Sequence, residues 1–283
     1  MKIAGRKTVI TLHNIRPHER IYLFLEHIWF KLALKLADGV IVHNHYSYNI
    51  LTSVYGISKK VYVIPHGNFI DYYPNTMTPK EARRRLRIPD SSFVLLFFGA
   101  LRDYKGIDDL IMVLRNILPK YNALFAVFVG GIQSEKLRRD LLKFSKEFKG
   151  RCIVKMEHTP DEEVQVYMNA ADIGILPYKE VTTSGAVLLF QSFGKTVIVP
   201  DLPSIKEVLG DSGIYYKQGD MEEMEAAIIK SLILGKKQVR LLGRKAYERA
   251  LKMDWNYIAH LTSKFYKKLL GYRDENFKTI QID

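Results

Sequence analysis

Short, nearly continuous apolar runs alternate with amphipathic stretches along most of this chain of 283 residues. Eight runs have the length and composition of buried strands, and they are residues 7–13, 39–44, 60–66, 92–99, 123–131, 151–156, 172–178 and 195–201. Strands that are apolar throughout are typical of parallel sheets covered by helices on both faces. The alternation therefore predicts an α/β fold built from βαβ units rather than an antiparallel sandwich.

Prolines and polar side chains interrupt this alternation between residues 71 and 92. We therefore predict a domain boundary near residue 78, with a first domain over 1–78 and a second over 79–252. The first domain has only three predicted strands, fewer than an average sheet, and is predicted to be incomplete. Residues 253–283 follow, and their amphipathic pattern predicts a helix that packs back toward the first domain.

The charge balance favours an anionic partner. A formal net charge of +13 fits nucleotides, nucleic acid or an acidic lipid surface, and does not choose among them. The single cysteine, Cys152, excludes an intrachain disulfide and a cysteine metal cluster, and a reducing cytoplasmic setting fits best.

Two segments bear on membranes and export. The start of the chain has an apolar patch too short for a secretory signal, so export is not expected. Residues 19–38 are apolar but interrupted by charges such as Glu26, Lys31 and Lys35. This pattern predicts a helix that lies against a core, the commoner outcome, or on a membrane surface, rather than one that spans a bilayer.

Two loops carry the residues that could bind an anion. After the run 92–99, Arg102 and Lys105 lie in a short loop before a predicted helix, where a phosphate is electrostatically favoured. The alternative is that both are solvated loop charges. After the run 172–178, Thr182, Thr183 and Ser184 are good helix N-caps, and Gly185 would let a ligand approach free backbone N–H groups. Two such loops in one parallel sheet favour a phosphorylated ligand.

Taken together, several segments resemble glycosyltransferases of the GT-B architecture, in particular the family 4 group that uses nucleotide sugars. The segments include TLHNIRPHE, LADGVIVHN, VYVIPHGNFIDYYP, FFGALRDYKGIDDLI, AADIGILPY and TSGAVLLFQSFGKTVIVPD. The resemblance implies two Rossmann-like domains, with the nucleotide diphosphate sugar bound mainly by the second and the acceptor by the first across a cleft. It implies no cofactor and no metal.

The resemblance also assigns roles to residues. Lys105, assisted by Arg102, and the loop Thr183, Ser184 and Gly185 would bind the donor phosphates. Val154, Met156 and Glu157 would lie near the nucleotide base or ribose. His13 would approach the transferred sugar, the alternative being a strand-end histidine bonded to backbone. His66 and Gly67 would line the cleft, the alternative being a plain turn.

Departures from the family pattern concern the mechanism. Many family members carry a pair of glutamates in this region. Here Glu180 precedes the loop, but Leu189, Phe190 and Gln191 stand where the ribose-binding carboxylate is expected. Glu180 is therefore a catalytic candidate with an exposed loop acid as the equal alternative. The usual retention of anomeric configuration is in doubt, because the HN pair and the TSG loop resemble β-mannosyl-transferring enzymes, which invert.

The chain is also short for the family, whose members begin with a further strand, glycine-rich loop and helix pair. We therefore expect either a split or truncated chain completed by a partner polypeptide, or a homo-oligomer that covers the open sheet edge. The competing class is a non-catalytic or split-enzyme donor-binding subunit.

Two other patterns receive less weight. The letters HNH at 43–45 resemble a metal nuclease motif, but no further His or Cys cluster completes a ligand set. Basic clusters at 80–87, 138–149 and 236–252 lie on predicted helix faces without a nucleic-acid module, so no nucleic-acid partner is expected and an anionic membrane is preferred.

The sequence thus predicts a hexosyltransferase that uses GDP-mannose or a UDP-sugar and a glycan or lipid-linked acceptor. It would be cytoplasmic or peripheral on the inner face of the membrane.

Overall fold

A computed structural model describes residues 6–15, 23–57 and 60–272. These residues form two compact units. Unit 1 comprises described residues up to 67 together with those from 253 onward, and unit 2 comprises residues 68–252. The predicted boundary near 78 differs from this division because residues 68–78 contact unit 2. The side chain of Asn68 donates to Ala250 O at 2.8 Å, and Gln165 Oε1 accepts from the backbone N–H of Thr76 at 3.0 Å.

Unit 1 contains a parallel three-stranded sheet among its described residues. Its strands, in the order β1-β2-β3, are β1 (Val9–Leu12), β2 (Gly39–Val42) and β3 (Val61–Val63). Its helices are α1 (Leu23–Leu36), α2 (His45–Tyr55) and α10 (Trp255–Leu269). Helix α10 belongs to this unit because Phe265 covers Gly39, where an added Cβ would lie only 2.5 Å from the ring.

Helix α1 has one packed and one exposed apolar side. Leu34 and Ala37 are buried in the core of unit 1. Ile28, Trp29, Leu32 and Leu36 are exposed, with Trp29 at 66%. The sequence predicts a helix that lies against a core or on a membrane surface. Packing against the core of unit 1 explains only some of the apolar residues of α1. Of the described residues, no helix is long and apolar enough to cross a bilayer. Glu26 lies outside the residues whose side chains are described.

Unit 2 is a doubly wound α/β unit with a parallel six-stranded sheet. Its strands are β4 (Phe93–Phe98), β5 (Leu124–Val129), β6 (Cys152–Lys155), β7 (Ile173–Ile175), β8 (Val197–Pro200) and β9 (Ile214–Tyr216). Its helices are α3 (Pro79–Leu86), α4 (Ile107–Ile117), α5 (Glu135–Glu147), α6 (Asp161–Ala170), α7 (Gly185–Ser192), α8 (Pro203–Leu209) and α9 (Met221–Leu251). Helix α9 is broken at Gly235.

The strand order of this sheet, β6-β5-β4-β7-β8-β9, determines where a ligand can bind. From β4 the chain first winds outward through β5 and β6, and it then returns to place β7 on the other side of β4. The connections diverge between β4 and β7, which leaves a crevice outside the carboxyl ends of these two strands. Phe93, Leu95 and Phe97 are buried, as expected for a central parallel strand.

Each of the eight predicted apolar runs contains a strand, which confirms the α/β class. The strands are shorter than the runs, because residues such as His13, His43 and His66 follow the last ladder hydrogen bond. Strand β9 was not predicted, since its apolar run ends with the strand itself, whereas the equally short β3 and β7 lie within longer apolar runs.

Candidate active site

The loop after β4 carries two adjacent cations at the crevice. Arg102 precedes a 3-10 turn over Asp103–Lys105, and Gly106 then adopts a left-handed conformation that starts α4. Within the described part of the chain, neither Arg102 nor Lys105 forms an ion pair or a side-chain hydrogen bond. Burial, with the charge of Arg102 added, lowers the pKa of Lys105 to about 8. Two cations held together without a carboxylate favour an anionic ligand.

Close backbone contacts fix this loop. An added Cβ on Gly130 would lie 2.0 Å from Gly99 O, and one on Gly106 would lie 2.0 Å from Pro177 O. The backbone N–H of Leu101 donates to Gly131 O at 2.8 Å. The loops after β4 and β5 therefore pack backbone to backbone at Gly130, and Gly106 allows the same close approach between the loops after β4 and β7.

The loop after β7 ends in the helix N-terminus that the sequence predicted. Ser184 is the N-cap of α7, and its Oγ accepts from the backbone N–H of Val187 at 3.2 Å. The hydroxyls of Tyr178 and Ser184 lie 2.7 Å apart and form a hydrogen bond. Gly185 is exposed, and the buried Thr183 Oγ1 has no hydrogen-bond partner among the described residues. A buried hydroxyl without a partner can form a hydrogen bond with an oxygen atom of a ligand.

The two loops are connected to each other. The backbone N–H of Lys179 donates to Tyr104 O at 3.1 Å, and the carbonyl of Pro177 lies against Gly106. Tyr104 directly precedes Lys105, whereas Tyr178 bonds to Ser184. The predicted phosphate-binding residues therefore lie on neighbouring loops, joined through residues 177–179.

The last residues of β6, which include Val154, and the segment after this strand lie at the same end of the sheet. Gly130 N donates to Lys155 O at 3.0 Å, which joins residues 154–157 to the loop after β5. Val154 and Met156 are partly buried and Glu157 is exposed. These three predicted base or ribose residues are thus joined through Gly130 and Gly99 to the loop of Lys105.

The expected ribose-binding carboxylate has no substitute at its position. Leu189, Phe190 and Gln191 are all buried within α7. Gln191 Nε2 donates to Val208 O at 3.4 Å, so its amide is directed toward α8. Glu180 is exposed and forms no hydrogen bond or ion pair with the described residues, and its catalytic role stays a prediction.

Unit 1 contains a histidine cluster at the ends of its strands. His43 Nδ1 lies 2.9 Å from Ile64 O, and His43 Nε2 lies 3.2 Å from His13 Nδ1. A carbonyl only accepts, so His43 Nδ1 carries a proton. Burial, chiefly, lowers the pKa of His43, which favours its neutral form and leaves Nε2 as an acceptor. His13 then donates from Nδ1, and its Nε2 is the basic nitrogen.

His66 and Gly67, the predicted cleft residues, contact Trp255 within this unit. An added Cβ on Gly67 would lie 2.5 Å from the indole, and the ring centroids of His66 and Trp255 are 6.0 Å apart. Gly67 therefore has a packing role, and its role toward a ligand stays a prediction. His66 Nδ1 lies 2.7 Å from Gly67 O and can donate to it.

Sequence reasoning missed His43 and Tyr178. His43 was considered only as part of the letters HNH, on a single strand. In the structure it follows β2, Asn44 caps α2 by accepting from Ser47 N at 2.8 Å, and His45 begins that helix. The available signal was that His43 follows β2 and His13 follows β1, because parallel strands that pair bring the residues after them close together. No group of three or more His, Cys, Asp or Glu residues that could hold a metal occurs in the described ranges.

The second unit matches the family described as Glycosyl transferases group 1 over residues 92–233. Residues 1–68 match Glycosyltransferase Family 4. A GDP-mannose:glycolipid 4-beta-D-mannosyltransferase of Xanthomonas campestris pv. campestris is 25% identical over 274 residues, which cover 96% of this chain and 71% of that protein. A D-inositol 3-phosphate glycosyltransferase of Corynebacterium jeikeium is 26% identical over 251 residues, covering 84% of this chain and 60% of that protein.

Solved structures show the same fold at low sequence identity. Sucrose-phosphate synthase from Thermosynechococcus elongatus has a TM-score of 0.79 and 20% identity, over 94% of this chain and 68% of that one. HepE from Anabaena, solved with UDP-glucose, has a TM-score of 0.78 and 19% identity, over 93% of this chain and 72% of that one. The fold is thus of the GT-B type, and the chain belongs to the group 1 glycosyl transferase family and is a hexosyltransferase.

Proposed function

We propose that this chain transfers a hexose to a glycan or lipid-linked acceptor, in a reaction that requires no metal. GDP-mannose is the first choice of donor. The main support for this proposal is the pair Arg102 and Lys105 at the crevice between β4 and β7. Neither cation forms an ion pair with the described residues. A UDP-sugar is the second choice of donor. The Xanthomonas relative, by its name, uses GDP-mannose and a glycolipid, which supports the first.

The cations would act on the leaving group. When the bond between the anomeric carbon and the diphosphate breaks, negative charge grows on the phosphate oxygens. Lys105 and Arg102 would stabilise that charge, and the backbone N–H groups at the start of α7 would add to this beside Thr183. Preorganised donors of this kind are strongest where water is displaced, and Lys105 is already largely desolvated.

His13 would act as the general base. The β-mannosyl-transferring enzymes that the chain resembles invert, and a single displacement needs a group that accepts the proton of the acceptor hydroxyl. That proton would move to His13 Nε2 as the acceptor oxygen bonds to the anomeric carbon and the nucleoside diphosphate leaves. His43 would hold His13 in the tautomer that leaves Nε2 basic.

A lipid-linked acceptor would require contact with a membrane. The exposed side chains of Ile28, Trp29, Leu32 and Leu36 on α1 occur together with exposed Lys31 and Lys35. Apolar residues beside lysines are typical of helices that lie on anionic bilayers. This supports a peripheral association, with the protein at the cytoplasmic face.

The proposal is tested by a donor screen. The purified chain is incubated with GDP-mannose, UDP-glucose or UDP-galactose and with lipid-extracted acceptors, with and without EDTA, and products are identified by mass spectrometry. Transfer from GDP-mannose that EDTA leaves intact supports the proposal. Binding of GDP without transfer to any acceptor would instead support the alternative, a donor-binding subunit that requires a partner chain, and binding of neither GDP nor UDP would contradict both.

A further inference from the structure

A basic cavity lies in unit 2 at the end of the sheet where the strands begin, opposite to the end that carries Lys105. It has a volume of about 260 Å³. Its wall includes Asp90, Asp172 and Lys195, which precede β4, β7 and β8, so it lies at the amino ends of these strands. The donor-binding candidates of unit 2 lie at or beyond the carboxyl ends of its strands. This cavity is therefore separate from the predicted donor site.

Cations outnumber carboxylates in this cavity. The basic lining residues are Lys80, Arg83, Lys195, Lys236 and Arg240. Against these five stand only the carboxylates of Asp90 and Asp172, so the lining has a formal charge of +3. The cations come from α3, from the loop before β8 and from α9, so the fold brings them together from distant parts of the chain.

One ion pair in the wall has a structural role. Arg83 Nη2 donates to Asp172 Oδ2 at 2.8 Å, and both side chains are below 10% exposed. The rest of the guanidinium donates to the carbonyls of Ala170, Asp90 and Ser92. Asp172 Oδ2 also accepts from Val94 N at 2.8 Å. Four of the five guanidinium N–H groups of Arg83 are thus bonded within the protein, and its charge neutralises one of the two carboxylates.

The other four cations are not bonded to a carboxylate of the described residues, although Asp172 lies near Lys195 and both Asp90 and Asp172 lie near Lys236. Among the described residues, Lys80, Lys195, Lys236 and Arg240 form no ion pair. Lys195 Nζ donates to Ala171 O, and Lys236 Nζ donates to Asp90 O, each at 2.8 Å. A neutral carbonyl satisfies one of the three ammonium protons. Burial lowers the pKa of Lys195 to about 8 despite nearby Asp172, and it also lowers the pKa of Lys236. Burying cations in this way is unfavourable unless an anion offsets it.

We propose that this cavity binds a phosphate group, contacted by Lys195 and Lys236 inside and by Lys80 and Arg240 at its exposed rim. Phosphate fits because its several oxygens can accept from four cationic donors at once. The group could belong to a free phosphorylated metabolite or to a lipid headgroup. The inference does not rest on the proposed transfer reaction, since none of these residues belongs to the predicted donor site.

Binding is tested with inorganic pyrophosphate and two matched variants. Lys236→Gln with Arg240→Gln removes two cations of the cavity. Lys237→Gln with Arg244→Gln removes two exposed cations from the same helix outside it. Calorimetry is performed on Lys105→Ala alone and on Lys105→Ala combined with each pair of changes. The Lys105→Ala change keeps pyrophosphate binding at the predicted donor site small. We expect the cavity variant to lose at least about tenfold in affinity and the control to change by less than about threefold, because only the former removes direct charge contacts.

A site-resolved measurement accompanies the calorimetry. Lysine acetylation followed by mass spectrometry should show pyrophosphate slowing modification of Lys195 and Lys236 but not of Lys237. Flotation with phosphatidic acid vesicles distinguishes the two sources. Loss of flotation in the cavity variant alone assigns a lipid headgroup, and flotation equal in both variants assigns a free ligand. Equal pyrophosphate affinity in both variants, with no protection of Lys195 or Lys236, would overturn the proposal.

Discussion

The imidazole of His43 lies 3.2 Å from that of His13, and its other ring nitrogen lies 2.9 Å from the carbonyl of Ile64. This relay fixes protons that no sequence motif reveals, because the carbonyl can only accept. His13 is thereby a residue with an assigned basic nitrogen, and His43 is a positioning residue.

Replacing His43 by Phe should therefore change the tautomer of His13. In the intact chain, nitrogen NMR should show His13 protonated at Nδ1 and not at Nε2 in its neutral form. In His43→Phe, the Nε2–H tautomer should appear, and kcat should fall about tenfold with KM little changed, since the base is reoriented rather than removed. His13→Ala should lose about a hundredfold or more in kcat. An Nε2–H tautomer in the unaltered chain would contradict this relay.

Donor binding should weaken above pH 8. Burial beside Arg102 lowers the pKa of Lys105 to about 8, so its ammonium loses its proton as the pH rises through that value. An anionic diphosphate binds the charged form, so binding is strongest below pH 8 and should weaken up to about tenfold per pH unit above it. Pyrophosphate titrations from pH 6.5 to 9.5 measure this change in affinity. They are made in a chain that carries Lys236→Gln and Arg240→Gln, so that the basic cavity of unit 2 does not contribute. In Lys105→Arg, whose charge persists, the weakening should be absent; the same decline in both proteins would rule out Lys105 as its source.

Two neighbouring glycines provide a matched pair for the loop after β5. Gly130 has a φ of 152°, and an added Cβ would lie 2.0 Å from Gly99 O, whereas Gly131 meets only His158 N, at 4.0 Å. Gly130→Ala should lower the free energy of unfolding by about 2 kcal/mol, because the backbone must shift. Gly131→Ala should change it by less than about 1 kcal/mol. Urea denaturation measures both, and equal effects would show that the close approach is not required.

Membrane contact by α1 can be followed by the fluorescence of Trp29. In a Trp255→Phe background, Trp29 is the only tryptophan, and it is 66% exposed. Anionic vesicles should shift its emission to the blue as the indole enters the interface, and neutral vesicles should not. Changing Lys31 and Lys35 to Glu should weaken binding, since each lysine contributes about 1 kcal/mol at an anionic surface. An unchanged spectrum with both vesicle types would contradict the assignment of this face.

The sequence was most informative where burial is continuous. Phe93–Phe98 and Leu124–Val129 read as buried strands because every residue is apolar, and the helix at Gly185 could be predicted from its Ser184 cap. Strand β9 was not predicted because the apolar run Ile214–Tyr216 has no apolar flanking residues to lengthen it. The boundary fell at 67 rather than 78 because the contact of Thr76 with Gln165 joins residues 89 apart in sequence, which local patterns do not report.

The candidate site shows the same limit. Lys105 and Ser184 were predicted from their loops, but their connection through Tyr104, Lys179 and Tyr178 depends on the β4 and β7 strands becoming neighbours. The basic cavity was similarly hidden. The sequence assigns Lys80 and Lys236 to solvated helix faces and Lys195 to the start of an apolar run, and only the fold places Lys195 and Lys236 together.

The central claim is that the loops after β4 and β7 bind the donor diphosphate, and calorimetry with GDP on Lys105→Ala tests it most directly. Lys120→Ala is the control, because this exposed lysine precedes β5 and therefore lies at the end of the sheet opposite to Lys105. We predict at least about a tenfold loss of GDP affinity in Lys105→Ala, as expected for a desolvated charge contact, and less than about a twofold loss in Lys120→Ala. GDP affinity and transfer both unchanged in Lys105→Ala would contradict the account.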